Sequence, residues 1–218
     1  MIEIKGLSKK YKNNVLFENT DAVFEDDNIT FIMGENGCGK TSLIKCLCGL
    51  ESYSGSIVYD HGSESTDSRG SMLVIWDDCV FFRNLSGIDN LRIFDDVHSR
   101  EEIIDIAGRY LSIEKLRKKV KKYSYGQKKM LSLALAELLK PKILIMDEVT
   151  NGLDHNSLKK LKRDLSEWKR SALIIMTGHN LDFYSAVADR LFLIKDRKLL
   201  SREIENEGLA DIYDKEFY

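Results

Sequence analysis

Short apolar runs divide the first third of the chain into predicted strands. Each run is followed by polar, turn-forming residues, which is typical of strands rather than of long helices. The predicted strands are Ile2–Ile4, Asp21–Phe24, Asn28–Met33, Ser56–Tyr59 and Met72–Trp76. The polar stretch from His61 to Gly70 predicts a loop.

Helical spacing replaces this pattern from about Ser86. Apolar residues recur three and four positions apart, as on the buried face of a helix. Helices are predicted for Ile88–Phe94, Glu101–Tyr110, Ile113–Val120 and Tyr125–Lys140. Pro141, the only proline of the chain, ends the last of them, because proline cannot donate a helical hydrogen bond.

The last third combines both patterns. Predicted strands Ile143–Met146 and Leu173–Thr177 flank a predicted helix from Ser157 to Trp168. A strand, a helix and a strand at this spacing predict a parallel sheet. A final strand pair is predicted for Arg190–Lys195 and Lys198–Ser201. The pattern predicts an α/β fold, and 218 residues suit one large domain or a core with an inserted lobe.

A glycine-rich turn lies between the strand Asn28–Met33 and a predicted helix Thr41–Cys48. The turn has the spacing G-x-x-x-x-G-K-[ST]. The residues of this motif, together with the residue that follows it, are predicted to bind the nucleotide: Gly34, Glu35, Asn36, Gly37, Cys38, Gly39, Lys40, Thr41 and Ser42. Backbone N–H groups of such a turn surround phosphate oxygens at the positive end of a helix. Lys40 is expected to reach the β- and γ-phosphates, and the Thr41 hydroxyl to bind Mg²⁺. A glycine-rich turn with a surface lysine is the alternative, but the context favours a nucleoside triphosphate.

Two acids follow the predicted strand Ile143–Met146. In a protein with a phosphate-binding turn, acids at this edge of the sheet face the nucleotide. Asp147 is expected to hold Mg²⁺, directly or through water, and Glu148 to orient and deprotonate an attacking water. A solvated acidic pair is the default for an isolated Asp-Glu, but the phosphate-binding turn favours a hydrolytic site.

Composition limits the classes of partner. A hydrophobic content of 43% and a charged content of 31% are typical of a soluble globular protein. The net charge of −2 gives no general attraction to nucleic acid, so none is expected as a partner. No uncharged apolar run approaches the ~18 residues that span a bilayer, and Met1–Lys5 lacks the apolar core of a signal peptide.

The cysteines favour a reducing compartment. Cys38, Cys46, Cys48 and Cys79 form no C-x-x-C pair, and no nearby histidine completes a zinc set. Reduced thiols in a cytoplasmic protein are therefore expected. A redox role for Cys38 is the less favoured alternative.

The stretch Tyr123–Lys129 identifies a family. It reads Y-S-Y-G-Q-K-K and resembles the signature of the ATP-binding cassette (ABC) ATPases, L-S-G-G-Q followed by basic residues. Asn151–Asp154 resembles the family's D-loop, His179 its switch histidine, and Tyr11 its adenine-stacking aromatic residue. The resemblance covers nearly the whole chain.

The resemblance implies a fold and its division. The family has a P-loop NTPase parallel-sheet core with an N-terminal antiparallel β subdomain and a short inserted helical subdomain. Residues 1–218 would form a single ABC ATPase domain. Residues 1–76 and 141–218 would be the RecA-like core with the β subdomain, and residues 77–140 the helical subdomain that carries the signature.

The resemblance also implies ATP and Mg²⁺ as cofactors, and roles for individual residues. Tyr11 would stack on adenine; a half-buried aromatic residue beside a strand is the alternative. His179 would hydrogen-bond the γ-phosphate and help hold the attacking water; a structural histidine is the alternative. Lys40, Glu148 and His179 are the expected catalytic residues.

In this family two cassettes face each other head to tail. Ser124, Gly126 and Gln127 would then contact the γ-phosphate held by the partner's phosphate-binding turn. The expected partner is therefore a second ABC ATPase domain, in a homodimer or a heterodimer, and a single copy would not complete its own site.

Three positions depart from the family pattern. Asp77 stands where the Q-loop carries glutamine, and it is expected to bind Mg²⁺ despite its shorter side chain. Tyr125 replaces the first signature glycine, which would allow close backbone approach to phosphate. Val149 replaces a proline. ATP hydrolysis is expected, at a slow rate.

The resemblance implies a separate transmembrane permease subunit as a second partner. Phe81, Phe82, Leu85 and Ile88 would suit docking of a permease helix, or else pack inside the lobe. The basic run Arg117–Lys122 is more typical of a solvated helix end than of a phosphate or acidic-partner contact.

The leading hypothesis is the ATPase subunit of an exporter, in the cytoplasm and peripheral on the inner face of the cell membrane through the permease. Two alternatives remain: a soluble ABC ATPase acting in assembly, and a regulatory cassette that dimerises with ATP and hydrolyses little of it. Glu148 argues against the regulatory cassette, whereas Asp77 and Tyr125 leave it open.

Overall fold

The computed structural model describes residues 1–12, 14–59, 71–204 and 207–218. The predicted loop from His61 to Gly70 lies outside the described residues. The strands are β1 (Ile2–Tyr11), β2 (Asn14–Phe24), β3 (Ile29–Met33), β4 (Ser54–Tyr59), β5 (Met72–Ile75), β6 (Ile143–Asp147), β7 (Leu173–Thr177), β8 (Arg190–Lys195) and β9 (Lys198–Arg202). The helices are α1 (Lys40–Leu47), α2 (Gly87–Phe94), α3 (Arg100–Gly108), α4 (Ile113–Leu116), α5 (Tyr125–Leu139), α6 (His155–Trp168), α7 (Leu181–Ser185) and α8 (Leu209–Phe217), with a short 3₁₀ helix over Val120–Lys122.

The larger sheet confirms the predicted parallel core. It has six strands in the order β5-β6-β7-β3-β8-β9. All neighbours are parallel except β9, which runs antiparallel to β8. Every residue of β3, β6 and β7 is buried, because helices or other strands cover both faces of such a sheet. This explains why these strands are continuous apolar runs.

The smaller sheet is antiparallel and has the order β2-β1-β4. Its first two strands are longer than predicted, because β1 extends to Tyr11 and β2 begins at Asn14. Lysines and polar residues interrupt their apolar pattern, and register shifts between the strands break the strict alternation. Lys9 is nevertheless buried, and its ammonium donates to the carbonyl of Ser52 at 2.7 Å.

Helices α2 to α5 follow one another between β5 and β6 and pack on the sheet. One apolar cluster contains Leu91, Leu116 and Leu131 from these helices together with Met33 and Met176 from the sheet. The helical segment therefore shares its core with the sheet. The division into core and helical subdomains at residues 76 and 140 stays a prediction.

The predicted helix Ile113–Val120 is too long. The structure ends α4 at Leu116, whereas the sequence pattern predicts a helix as far as Val120. Lys119 forms an antiparallel bridge with Ser86, and the N–H of Val120 donates to the carbonyl of Leu85 at 2.9 Å. This pairing with the loop before α2 replaces the helical hydrogen bonds. Helices α7 and α8 were not predicted at all.

Candidate active site

The phosphate-binding turn joins β3 to α1, as predicted. Gly39 occupies the position before α1 with a φ of 115°, a left-handed conformation that residues with a Cβ rarely adopt. A Cβ there would also lie 3.2 Å from the ring of Phe17. The glycine therefore lets α1 begin directly beneath the turn.

Lys40 is held by the turn itself. Its side chain is buried, and its ammonium donates to the carbonyls of Gly34 at 2.7 Å and Glu35 at 3.1 Å. The charge is thus fixed at the centre of the turn, where phosphate oxygens are expected to bind.

The predicted Mg²⁺ ligands Thr41 and Asp147 lie side by side. The Thr41 hydroxyl donates to Oδ2 of Asp147 at 3.0 Å, and the Thr177 hydroxyl donates to Oδ1 at 2.5 Å. Asp147 and Thr177 are paired residues at the ends of the parallel strands β6 and β7. Hydroxyl and carboxylate oxygens are the hard donors that Mg²⁺ prefers, so the chemistry of this pair fits the ion. Sequence reasoning missed Thr177, although its place beside His179 at a strand end was a usable signal.

Glu148 has the features of a general base. Its Oε1 lies 3.2 Å from Nε2 of His179, while its Oε2 is buried and has no hydrogen-bond partner among the described residues. Burial raises the pKa of its carboxyl above the ordinary value, against the opposing effects of His179 and Lys40. A buried oxygen with unused hydrogen-bonding capacity is suited to accept a proton from water.

The backbone aims this carboxylate. Glu148 has a φ of 51°, a left-handed conformation that is uncommon for a residue with a side chain. Its N–H donates to the carbonyl of Thr177 at 3.2 Å, which anchors it to the end of β7. Strained residues of this kind recur at active sites.

Tyr11 lies at the edge of the same site. The residue is 41% exposed, and its hydroxyl donates to Glu51 and lies 3.3 Å from Oγ of Ser42. The ammonium of Lys9 lies 4.6 Å from the ring centroid. The sequence did not indicate these contacts with Glu51 and Lys9, which fix the orientation of the ring.

One cavity brings these groups together. Its volume is about 360 Å³, and its lining includes Tyr11, Asn36, Gly37, Gly39, Lys40, Thr41, Ser42, Glu148 and His179. Glu35 and Cys38, also predicted to bind the nucleotide, line a different cavity beside β8 and α8. Burial raises the pKa of the Cys38 thiol, which disfavours the thiolate that a redox role needs.

The signature residues lie elsewhere. Ser124 precedes α5 and accepts a hydrogen bond from the N–H of Gln127 at 3.3 Å, while Gln127 Oε1 accepts from the N–H of Ser124 at 3.0 Å. This reciprocal pair is a capping box. Among the described residues, the lining of the 360 Å³ cavity includes none of Ser124, Gly126 and Gln127. The single chain therefore does not unite the two predicted halves of the site.

Asp77 has different partners from those expected of a metal ligand. Its Oδ1 accepts a hydrogen bond from the Tyr125 hydroxyl and another from Asn151 Nδ2 at 3.3 Å. The ammonium of Lys129 lies 3.5 Å from the same oxygen. Within the described part of the chain, no hydrogen bond or ion pair joins Asp77 to Thr41 or Asp147. The geometry gives the predicted Mg²⁺ role of Asp77 no support.

Burial acts to raise the pKa of Asp77, but the Tyr125 hydroxyl and the Lys129 charge outweigh it, so the pKa is lowered. Asp77 is therefore ionised at neutral pH. Tyr125 and Asn151, like Thr177, belong to contacts that the sequence motifs did not indicate.

The predicted docking cluster is split by the structure. Ile88 is buried and Phe81 packs against the main core, whereas Phe82 is 56% and Leu85 is 37% exposed. The lysines and the arginine of the run Arg117–Lys122 are exposed, and Lys118 pairs with Glu114 at 2.6 Å. No helix in the described ranges is long and apolar enough to cross a bilayer.

Comparisons with known proteins agree with this geometry. A family model described as ABC transporter matches residues 17–151. The lantibiotic transport ATP-binding protein SrtF of Streptococcus pyogenes is 27% identical, over 99% of this chain and 97% of its own length. The methionine import ATP-binding protein MetN of Clostridium acetobutylicum is 28% identical, over 89% of this chain and 66% of its own length. A solved structure described as the ATP-binding subunit of an ABC transporter has a TM-score of 0.88 at 20% identity, over 100% of both chains, which shows a shared fold.

Proposed function

Because the chain belongs to the ABC transporter family, as an ATP-binding subunit, we propose that it hydrolyses ATP to drive a separate permease. One observation carries the proposal of hydrolysis. Glu148 lines the same cavity as Lys40, Thr41 and His179, and its buried Oε2 has no hydrogen-bond partner among the described residues. A carboxylate of raised pKa beside a phosphate-binding turn is the arrangement that activates water.

ATP binding follows from the turn. The phosphates replace the carbonyls of Gly34 and Glu35 as partners of the Lys40 ammonium, and backbone N–H groups at the start of α1 bind the phosphate oxygens. Tyr11 presents a ring face to the adenine, with its hydroxyl tethered to Glu51. When bound, Mg²⁺ neutralises phosphate charge, and Thr41 and Asp147 are the residues that would hold it.

Hydrolysis depends on Glu148 and His179. Glu148 accepts the proton of a water that is lined up with the γ-phosphate, and His179 holds the carboxylate in place through the 3.2 Å contact. Phosphoryl transfer needs such alignment and charge stabilisation more than covalent chemistry.

We infer that a second cassette completes the site. Ser124 and Gly126 lie at the positive end of α5, which has fifteen residues, and outside the cavity of their own chain. The N-terminus of a helix binds anions, so a γ-phosphate held by a partner chain is the ligand that these residues suit.

The permease would dock beside β5, and the cassette would lie on the inner face of the membrane through that contact. Val80, Phe82 and Leu85 expose 80%, 56% and 37% of their surface, respectively, in the segment between β5 and α2. Exposed apolar residues in one segment are typical of interaction sites. We propose export as the direction, although the relative named for lantibiotic transport carries no direction in its name. A relative named for methionine import makes import the competing outcome.

The Glu148→Gln variant tests the proposal. Its amide cannot act as a base, so steady-state ATP hydrolysis should fall by about 10²–10⁴-fold, while ATP and Mg²⁺ should convert the chain into a stable dimer detectable by analytical ultracentrifugation. Glu101→Gln, an exposed change at the start of α3, is the matched control and should behave as the parent chain.

The same variant identifies what is driven. It would be purified with ATP from detergent-solubilised membranes, and the co-purifying chains identified by mass spectrometry. A multi-helix membrane protein supports the transporter function, whereas soluble partners alone favour an assembly ATPase. If the parent chain dimerises with ATP but shows no turnover with any partner, it is instead a regulatory cassette.

A further inference from the structure

The two most marked departures from the family pattern are in contact with each other. Asp77 and Tyr125 are 48 positions apart in the chain, yet the Tyr125 hydroxyl donates to Asp77 Oδ1 and lies 3.0 Å from the Asp77 carbonyl oxygen. A glycine at position 125 would have no hydroxyl to make this bond. The two unusual residues therefore form one pair rather than two separate losses.

A buried lysine strengthens the pair. Lys129 lies one turn beyond Tyr125 on α5 and is 0% exposed. Its ammonium donates to the Trp76 carbonyl at 3.0 Å and lies 3.5 Å from Asp77 Oδ1. A buried charge needs such partners, because desolvation is otherwise strongly unfavourable. Both side chains thus attach α5 to the segment that follows β5.

The turn after β6 joins at the same point. Asn151 Nδ2 donates to Asp77 Oδ1 at 3.3 Å. A Cβ at Gly152 would lie 2.4 Å from Cδ1 of Tyr125, and a Cβ at Gly126 would lie 2.3 Å from the Gly152 carbonyl oxygen. The Tyr125 ring therefore occupies the space above Gly152. Three segments meet at Tyr125: the start of α5, the segment after β5 and the turn after β6.

We propose that Tyr125 and Asp77 are positioning residues that lock the start of α5 to the segment after β5 and to the turn after β6. This Tyr125–Asp77 lock rests on the proposed function, since its effect is on the face that meets a second cassette. Ser124 and Gly126 flank Tyr125, so the lock fixes both before any nucleotide binds. A preassembled face loses less conformational entropy on association.

Hydrogen–deuterium exchange of the nucleotide-free chain tests the lock directly. Tyr125→Phe removes only the hydroxyl. It should speed hydrogen exchange about fivefold at the N–H of Lys128, in the first turn of α5, and at the N–H groups of Asn151 and Leu153, in the turn after β6. This factor is expected for the loss of one hydrogen bond to a charged group that is partly exposed.

Tyr123→Phe is the matched control. It removes a second tyrosine hydroxyl, which donates to the Lys115 carbonyl at 2.8 Å, two positions from Tyr125. Exchange at Asn151 and Leu153 should then stay at the parent rate. If Tyr125→Phe leaves exchange unchanged, or if both variants speed it equally, the lock is overturned.

Dimer formation tests the role of the lock. In the Glu148→Gln background with ATP, Tyr125→Phe and Asp77→Ala, which both remove the bond from the Tyr125 hydroxyl to Asp77 Oδ1, should each raise the dimer dissociation constant about fivefold or more. The double variant should raise it by much less than the product of the two, because one bond is lost in all three. ATP affinity of the single chain should not change, which separates positioning from general loss of structure.

The outcomes distinguish the lock from the function on which it rests. If the Glu148→Gln parent forms no dimer with ATP, the proposed function fails and the positioning role fails with it. If the parent dimerises and Tyr125→Phe dimerises equally well, the function stands and the positioning role is overturned. If the effects of the two substitutions on the dimer dissociation constant multiply in the double variant, the proposal that Tyr125 and Asp77 act as one pair is also overturned.

Discussion

The nucleotide cavity and the signature face are built by different means. In the cavity, strand register places the reactive side chains: β3, β6 and β7 end at one edge of a buried sheet, and Asp147 and Thr177 face each other there. On the signature face, side chains from separate segments make the geometry, with Tyr125, Asp77 and Asn151 meeting near the surface. The geometry of the cavity therefore depends on the pairing of backbone strands, and that of the signature face on individual side-chain contacts near the surface.

This difference determines how substitutions should act. A change in the cavity removes a group that is proposed to contact the nucleotide, so its effect should appear in ATP binding or in ATP turnover with any partner chain. A change on the signature face should leave nucleotide binding by the single chain intact and affect stability or assembly. Three variants test this separation.

The largest effect is expected for Lys40→Ala. The variant removes the ammonium that is bonded to Gly34 and Glu35 and is expected to bind phosphate. Loss of the charge-assisted bonds that this ammonium is proposed to make to phosphate should weaken ATP binding by about a hundredfold or more, measured by isothermal titration calorimetry. Lys159→Ala, at an exposed position of α6, should bind as the parent. A similar loss in Tyr125→Phe would contradict the separation between the two regions.

Gly152→Ala should break the signature face without touching the cavity. Gly152 has a φ of 74°, and its new Cβ would lie 2.4 Å from the Tyr125 ring. The backbone strain and the overlap together should lower the free energy of unfolding by about 3 kcal/mol, or Tm by about 6–12 °C, in thermal unfolding followed by circular dichroism.

Gly108→Ala is the control for this effect. Gly108 ends α3, and a Cβ there meets no described atom within 4 Å. The change should stabilise the chain by about 0.5 kcal/mol. A Tm for Gly152→Ala equal to that of the parent would show that the turn does not confine Tyr125.

The smallest effect concerns pH. Glu148 acts as a base only when ionised, so the single-turnover rate should fall as the pH drops through its pKa, which burial raises above the ordinary 4.5. His179 and Lys40 lower this pKa, while Asp147 and Asp77 raise it. His179→Gln removes one of the lowering charges, so the midpoint of the acid limb should move to higher pH. A midpoint that stays fixed or moves to lower pH would contradict the assignment of Glu148 as the base.

The same difference explains what the sequence could predict. The phosphate-binding turn, the acids after β6 and the parallel order of the core follow from local spacing and from uninterrupted apolar runs, and their context was readable along the chain. The family resemblance also predicted the antiparallel sheet, but the sequence pattern did not predict the length of β1, because a buried lysine at position 9 cannot be told from an exposed one in the sequence. The shorter α4 depends on pairing of Val120 with Leu85, a contact made across the lobe.

The lock was beyond such reasoning for the same reason. In the sequence, Asp77 and Tyr125 could each be recognised as a departure from the family pattern, and each alone predicts a less effective ATP site. Their bond depends on two segments that are far apart in sequence and close in space. Local spacing carries no information on such a pair, so a metal ligand was predicted where the structure has a structural contact.

The position of the Lys40 ammonium has a kinetic consequence. Because the carbonyls of Gly34 and Glu35 already hold it, the turn keeps its shape by itself, and in the proposed function the incoming phosphate would replace existing partners one for one. No slow rearrangement of the turn has to precede capture, so encounter with the nucleotide can set the association rate. Differences in affinity among variants of this turn should then be found in how long the nucleotide stays rather than in how fast it arrives.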